Sequence, residues 1–189
     1  FLHDARLSTE RLIGLVNDLL DTSRLERGKM QISTAPVNIR ELTQSVLAEI
    51  SPLIQEKNQA LTMEIPDDLP VVSGDTQLLR QVILNLVSNA IKYTLRSGRI
   101  RIAARIENTR LRWEVEDSGI GIPQTDLGKL FDKFYRAENA LAVETEGTGL
   151  GLYLVRLIVE QFGGKVWCTS EVNVGSTFAF TLPLAIHEA

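Results

Sequence analysis

Glu146-Gly147-Thr148-Gly149-Leu150-Gly151-Leu152-Tyr153-Leu154-Val155 sets three glycines at alternate positions at the mouth of an amphipathic helix. Glycine tolerates positive φ and lets the backbone come close to a ligand, and the first turn of a helix presents N–H groups without intrahelical partners. The stretch therefore reads as a cradle for a phosphate. Glycine-rich loops recur in unrelated nucleotide folds, so this run decides little by itself. It is preceded, in order, by Asn85-Leu86-Val87-Ser88-Asn89-Ala90-Ile91-Lys92-Tyr93-Thr94 and by Asp117-Ser118-Gly119-Ile120-Gly121-Ile122.

Each upstream piece has a chemical reading and a plain one. Asn85 and Asn89 stand four apart, so on a helix their amides leave the same face one turn apart, with Lys92 and Tyr93 continuing that side. Neutral amide oxygens suit a hard cation such as Mg²⁺ that already carries phosphate oxygens and water. Lys92 would add positive charge and Tyr93 a partly apolar wall; the plain reading is a pair of capping or interhelical amides. Asp117 closes an alternating strand as an acceptor-only group, able to receive an exocyclic amino group and to reject a ring carbonyl. Gly119 and Gly121 would let the backbone pass a flat ring, and the plain reading is a tight Asp-Ser-Gly turn. Lys133 and Arg136, within Leu130-Phe131-Asp132-Lys133-Phe134-Tyr135-Arg136, are a cationic pair that would reach terminal phosphate oxygens; the plain reading is solvated charge.

Outside these motifs the chain is ordinary. Of its 189 residues 44% are hydrophobic and 23% charged, enough for a real core, and a net charge of −4 argues against nucleic acid as the main partner. No apolar run is long enough to cross a bilayer. Cys168, the single cysteine, excludes an internal disulfide and a thiolate metal cluster and reads as an inert strand residue. His3 and His187 lie near opposite ends and suggest no catalytic pair. The start at Phe1, without a methionine, reads as a piece of a longer protein.

Periodicity predicts a helix over residues 1–29 with a stripe of Leu12, Leu15, Val16, Leu19, Leu20 and Ser23 that needs a partner from elsewhere. A connection over 31–36 follows, with Val37 at an edge strand and a helix from Ile39 to Glu56 that Pro52 weakens locally. A strand is expected over Ala60–Ile65, a loop over Pro66–Ser73, and a helix over Thr76–Tyr93. Arg99–Glu107 and Leu111–Asp117 read as a hairpin, and Pro123–Phe134 as one short helix. Residues 135–148 read as a lid-length loop, Gly149–Phe162 as a helix, and Val166–Glu171 with Ser176–Leu184 as a final strand pair. The mixture predicts an α+β fold, a two-layer sandwich of helices on a mixed, mostly antiparallel sheet, behind a long N-terminal helix.

Taken together the motifs resemble the catalytic, ATP-binding domain of sensor histidine kinases, within the wider group of gyrase, Hsp90 and mismatch-repair ATPases. Asn85–Thr94 is similar to that family's asparagine box, Asp117–Ile122 to its first glycine box, Leu130–Arg136 to its phenylalanine box and Gly147–Gly151 to its second glycine box. Gly175-Ser176-Thr177-Phe178 fits its last strand. Residues 1–30 resemble the second helix of the dimerisation and phosphotransfer domain, 31–36 a linker, and 37–189 the ATP domain.

The resemblance implies ATP and Mg²⁺ as cofactors, with Asn89 and Asn85 on the metal. Asn85, Lys92 and Arg136 would position phosphates, and Asp117 would accept from the adenine amino group with Thr177 helping through water. Tyr93, Gly119, Gly121, Ile122 and Tyr135 would complete the cofactor site. The backbone of Gly147, Thr148, Gly149, Leu150 and Gly151 would close on the phosphates. The implied partners are the protein's own homodimeric helical bundle and a response regulator, and the implied location is cytoplasmic, which is compatible with a membrane-anchored parent protein. The family's phosphoacceptor box is absent: His3 is followed by Asp4-Ala5-Arg6-Leu7, so the fragment is expected to bind ATP but to lack its own target. Two other functions stay open at this point. One is a nucleotide-binding regulatory module without transfer; the other is an ATP hydrolase, which the amide at Asn85, where such relatives carry a glutamate base, makes less apt.

Overall fold

A computed structural model describes residues 9, 13, 14, 16, 19–143 and 147–185, with the backbone alone for 141–143. Residues 19–26 are helical (α1), and Thr9, Ile13, Gly14 and Val16 are helical as well; the rest of the expected first helix, and His3, lie outside the described residues. Gly28, at φ 61°, ends α1 by donating to Leu25, while Lys29 donates to Arg24. The elements that follow are β1 (Ala35–Val37), α2 (Ile39–Glu56), β2 (Ala60–Glu64), β3 (Val72–Gly74), α3 (Thr76–Tyr93), β4 (Arg99–Glu107) and β5 (Arg110–Asp117). Then come α4 (Gln124–Leu127), α5 (Glu138–Val143), α6 (Gly151–Gln161), β6 (Lys165–Glu171) and β7 (Gly175–Pro183).

Five strands form one sheet in the order β2-β4-β5-β7-β6, in which only β2 and β4 pair in parallel. Even-numbered residues of β4 and β7 and odd-numbered residues of β5 point into the core: Ile100 and Ile102, Phe178 and Phe180, Leu111, Trp113 and Val115. Against them pack Val46 and Ile50 of α2, Leu79, Val82, Ile83 and Leu86 of α3, and Leu154, Val155 and Ile158 of α6. Trp113 stacks on Phe180 with ring centroids 5.2 Å apart, and its indole N–H donates to Thr43 Oγ1 at 3.1 Å, which in turn donates to the Ile39 carbonyl. On the opposite face Glu114 is buried but met by Arg105 at 3.1 Å and Arg112 at 2.9 Å, the pairing a buried carboxylate requires.

Pro52 sits inside α2 without breaking it. Lacking an N–H, it leaves the Ala48 carbonyl short of a donor, and the hydroxyl of Ser51 donates to that carbonyl at 3.0 Å. Three expectations are corrected. Val72 and Ser73, read as the end of a loop, form with Gly74 a strand that pairs with β1 as a small antiparallel sheet. The helix expected over Pro123–Phe134 is a single turn, because Lys129, Asp132 and Tyr135 each donate three residues back and Phe134 turns to φ 66°. The segment 135–148, read as loop, contains α5.

Candidate functional site

Asp75 starts α3 by accepting from the backbone N–H groups of Gln77 at 2.9 Å and Leu78 at 3.2 Å, and its other oxygen accepts from Ser33. The buried stripe Leu79, Val82, Ile83, Leu86, Val87 and Ala90 fixes the rotation of this helix on the sheet. That rotation turns Asn85, Asn89, Lys92 and Tyr93 toward one cavity of about 270 Å³.

Asp117 ends β5 at the same cavity and is only 6% exposed. Burial raises its pKa to about 6; N–H groups of Gly119 and Ser176 pull it back in part, and Glu116 adds repulsion. Gly119 donates to its Oδ1 at 2.8 Å, which commits that oxygen to the turn while the carboxylate borders the cavity. A side chain at Gly119 would run into the Tyr93 carbonyl, and the Ile120 N–H donates to that carbonyl at 3.3 Å. The loop that carries the carboxylate is thereby fastened to the C-terminal end of α3.

Gly149, at φ 69°, lies so close to Phe134 that an added Cβ would stand 2.6 Å from the Phe134 carbonyl carbon, and Phe134 donates to the Gly149 carbonyl at 3.0 Å. A Cβ at Gly151 would stand 3.0 Å from Asn85 Oδ1, which brings the start of α6 against the amide side of α3. Thr148 Oγ1 accepts from the Leu150 N–H, and Arg136 donates to the Gly147 carbonyl at 3.2 Å across the mouth of the loop. Asn139 of α5 donates to the Gly121 carbonyl at 2.7 Å, tying the lid segment to the loop after β5.

Of the expected residues, Asn85, Asn89, Lys92, Tyr93 and Asp117 border this one cavity. So do Gly121, Ile122, Tyr135, Arg136, Gly147, Thr148, Gly149 and Gly151. Gly119 acts through its bond to Asp117, and Leu150 is buried behind the loop as the residue before α6. Thr177 is a correction. It pairs with Glu116 on the outer face of the sheet, and the residue beside Asp117 in register, bordering the cavity, is Ser176. Lys133 is a second: it pairs with Glu26 at 3.0 Å instead of joining Arg136 at the cavity. Sequence reasoning missed Phe178, Leu130 and Asn139; strand alternation from Ser176 would have found Phe178, whereas nothing local marks the other two. Cys168 is inert as expected, its thiol pushed up to about 12 by burial and by the charge of Asp117.

The donor set can be tested against a metal. Among the described residues no group of three or more His, Cys, Asp or Glu side chains is placed to hold an ion. Two amide oxygens one helical turn apart fit an ion such as Mg²⁺, which keeps waters and takes most of its other ligands from a bound phosphate. Among the described residues no helix is long and apolar enough to cross a membrane.

Residues 74–186 match the family described as histidine kinase-, DNA gyrase B-, and HSP90-like ATPase. The chain is 37% identical over 190 residues to the sensor protein GacS of Pseudomonas syringae pv. syringae, covering 97% of this chain and 21% of that protein. It thus spans about a fifth of that relative's length. Among solved structures, full-length ShkA in complex with AMPPNP superposes with a TM-score of 0.83 at 33% identity, over 97% of this chain and 38% of that one. The histidine kinase ThkA in complex with the response regulator protein TrrA superposes with a TM-score of 0.75 at 26% identity, over 97% of this chain and 50% of that one.

Proposed function

The chain belongs to the histidine kinase-, DNA gyrase B- and HSP90-like ATPase family as an ATP-binding catalytic domain, and from that premise we propose that it serves a histidine autokinase. Residues 37–189 would form the catalytic unit, and residues 1–30 the entering helix of a dimeric phosphotransfer bundle. The γ-phosphoryl group of ATP passes to a histidine that this fragment does not supply, then to an aspartate of a response regulator. The observation that carries the reading is that Asn85, Asn89, Asp117 and the glycine-rich loop at Gly147, Thr148, Gly149 and Gly151 border a single cavity.

In this reading the Asp117 carboxylate accepts from the adenine amino group, and Ile122, Tyr135 and Phe178 enclose the base. Asn89 and Asn85 hold Mg²⁺, whose chemistry is to neutralise charge on the phosphate oxygens. Lys92 and Arg136 orient the phosphates, and the backbone at Gly149 and Gly151 closes on anionic oxygen at the start of α6, with Leu150 holding the loop through its bond to Thr148. A ring nitrogen of the acceptor histidine bonds to the γ-phosphorus as the bond to the β,γ-bridging oxygen breaks, and ADP leaves. The chain contributes alignment and charge stabilisation, which is most of what such a reaction needs. Full-length ShkA with AMPPNP and ThkA with TrrA support the nucleotide and the regulator as partners.

Radiolabelled ATP with Mg²⁺ and a separately supplied bundle domain bearing the acceptor histidine tests this. Acid-labile label should appear on the bundle and not on the fragment. ATP binding without any transfer would reduce the fragment to a nucleotide-responsive module, and label on His3 would overturn the account.

A further inference from the structure

The helices α2 and α3 both end in one corner of the molecule. Lys57 is the C-cap of α2, and its ammonium donates not to α2 but to the carbonyls of Ile91 at 2.9 Å, Lys92 at 2.7 Å and Thr94 at 3.3 Å. In return Arg96, just beyond α3, donates to the carbonyl of Glu56, the last residue of α2, at 2.8 Å. Gln59, which is buried, adds bonds from its amide nitrogen to Ile91 at 3.0 Å and Thr94 at 2.8 Å. Each helix end, where carbonyls lack partners and the dipole is negative, is therefore capped by a cation belonging to the other.

This corner lies directly behind the nucleotide cavity. The carbonyls that Lys57 holds flank Lys92 and Tyr93, whose side chains border the cavity, while the Tyr93 carbonyl receives Ile120 from the loop that follows Asp117. We propose that Lys57, assisted by Gln59, is a positioning residue of the nucleotide site, setting the axial place of Lys92 and Tyr93 through the last carbonyls of α3. Without the ammonium, the last carbonyls of α3 keep only the neutral bonds from Gln59 on this side, and the Lys92 amine loses its register with the phosphates. The inference rests on the reading of the cavity as an ATP site.

Calorimetric titration of ATP with Mg²⁺ tests it, run on wild type, Lys57→Met, Lys92→Ala and the double variant at a temperature where each is folded by circular dichroism. Lys57→Met should weaken ATP about tenfold, the loss typical of a charge-assisted hydrogen bond. In the Lys92→Ala background the same change should cost far less, because the two act as one unit. With Lys57→Ala, millimolar propylammonium, which refills the corner with an amine, should recover the lost affinity, whereas tetramethylammonium, with no N–H, should not. An unchanged affinity of Lys57→Met, or full additivity with Lys92→Ala, would overturn the proposal. If Lys57→Met does not fold, Gln59→Leu carries the test, with a smaller loss expected and no loss refuting it. Failure of wild type to bind ATP would sink the nucleotide reading instead.

Discussion

Asp117→Asn should make the protein more stable and worse at binding ATP. The carboxyl has a folded pKa raised from 3.8 to about 6, so the folded state binds a proton more tightly than the unfolded chain does. The charge therefore penalises folding above pH 6, and the penalty fades as pH falls from about 6 toward 3.8. A shift of about 2 units corresponds to about 3 kcal/mol. Allowing about half of this for the charge-assisted bonds that the amide loses, the melting point at pH 7.5 should rise by roughly 5 °C. At pH 4 the difference from wild type should vanish.

Binding moves the other way. Gly119 donates to Oδ1, so the amide must keep its oxygen there and turn its NH₂ group toward the cavity. Donor then faces the donor amino group of adenine, and affinity for ATP should fall by about 100-fold or more, while inosine triphosphate, with a ring carbonyl at that place, should gain relative to ATP. Thermal melts at pH 7.5 and pH 4, with calorimetry against both nucleotides, measure the two halves. Retained ATP affinity refutes the adenine contact, and an unchanged melting point at pH 7.5 refutes the buried charge.

Asn89→Ala should weaken ATP binding in the presence of Mg²⁺ much more than in EDTA; equal losses in paired titrations would show that this amide is not a metal ligand. Gly149→Ala places a methyl against Phe134 at positive φ, and should cost about 2 kcal/mol in denaturant melts together with most ATP affinity. Glu26 has its pKa lowered chiefly by the Tyr153 hydroxyl at 2.6 Å and then by Lys133. The attachment of α1 is thus complete above the ordinary carboxylate pKa of 4.5 and lost as pH falls through the lowered value. Hydrogen exchange in residues 19–26 should accelerate in that acid range, and Glu26→Gln should show the faster exchange already at neutral pH.

Elements that are stabilised locally were legible in the sequence. The helix Thr76–Tyr93 was read with both its ends, since Asp75 is a strong cap and the apolar stripe is unbroken. The β4–β5 hairpin followed from alternation around the Glu107–Arg110 turn. Pairings set by distant chain were not legible: Val72–Gly74 is a strand only because β1 lies beside it. Motif position alone points to Thr177 as a base-site residue because it says nothing about parity, and the register with Glu116 sends that residue to the far face. Lys133 was drawn away by Glu26, more than a hundred residues earlier in the chain, a contact that no window of sequence contains. The helical turns of α5 and the role of Asn139 depend on docking against Gly121, again a tertiary matter.

The strand β7, the last element of the chain's sheet, is inserted between β5 and β6. At about 5–20 residues per second a ribosome needs roughly 3–13 s to travel from the end of β5 to the end of β7. Until β7 pairs with it, β5 lacks its native partner on that side, and an unpaired strand edge is the kind of surface to which other chains adhere. Entry of Ser176 beside Asp117 closes the edge and finishes the cavity in one event. Capture of nucleotide during synthesis would therefore report the completion of folding, and a stop codon anywhere before Gly175 would yield a sticky, ligand-blind polypeptide.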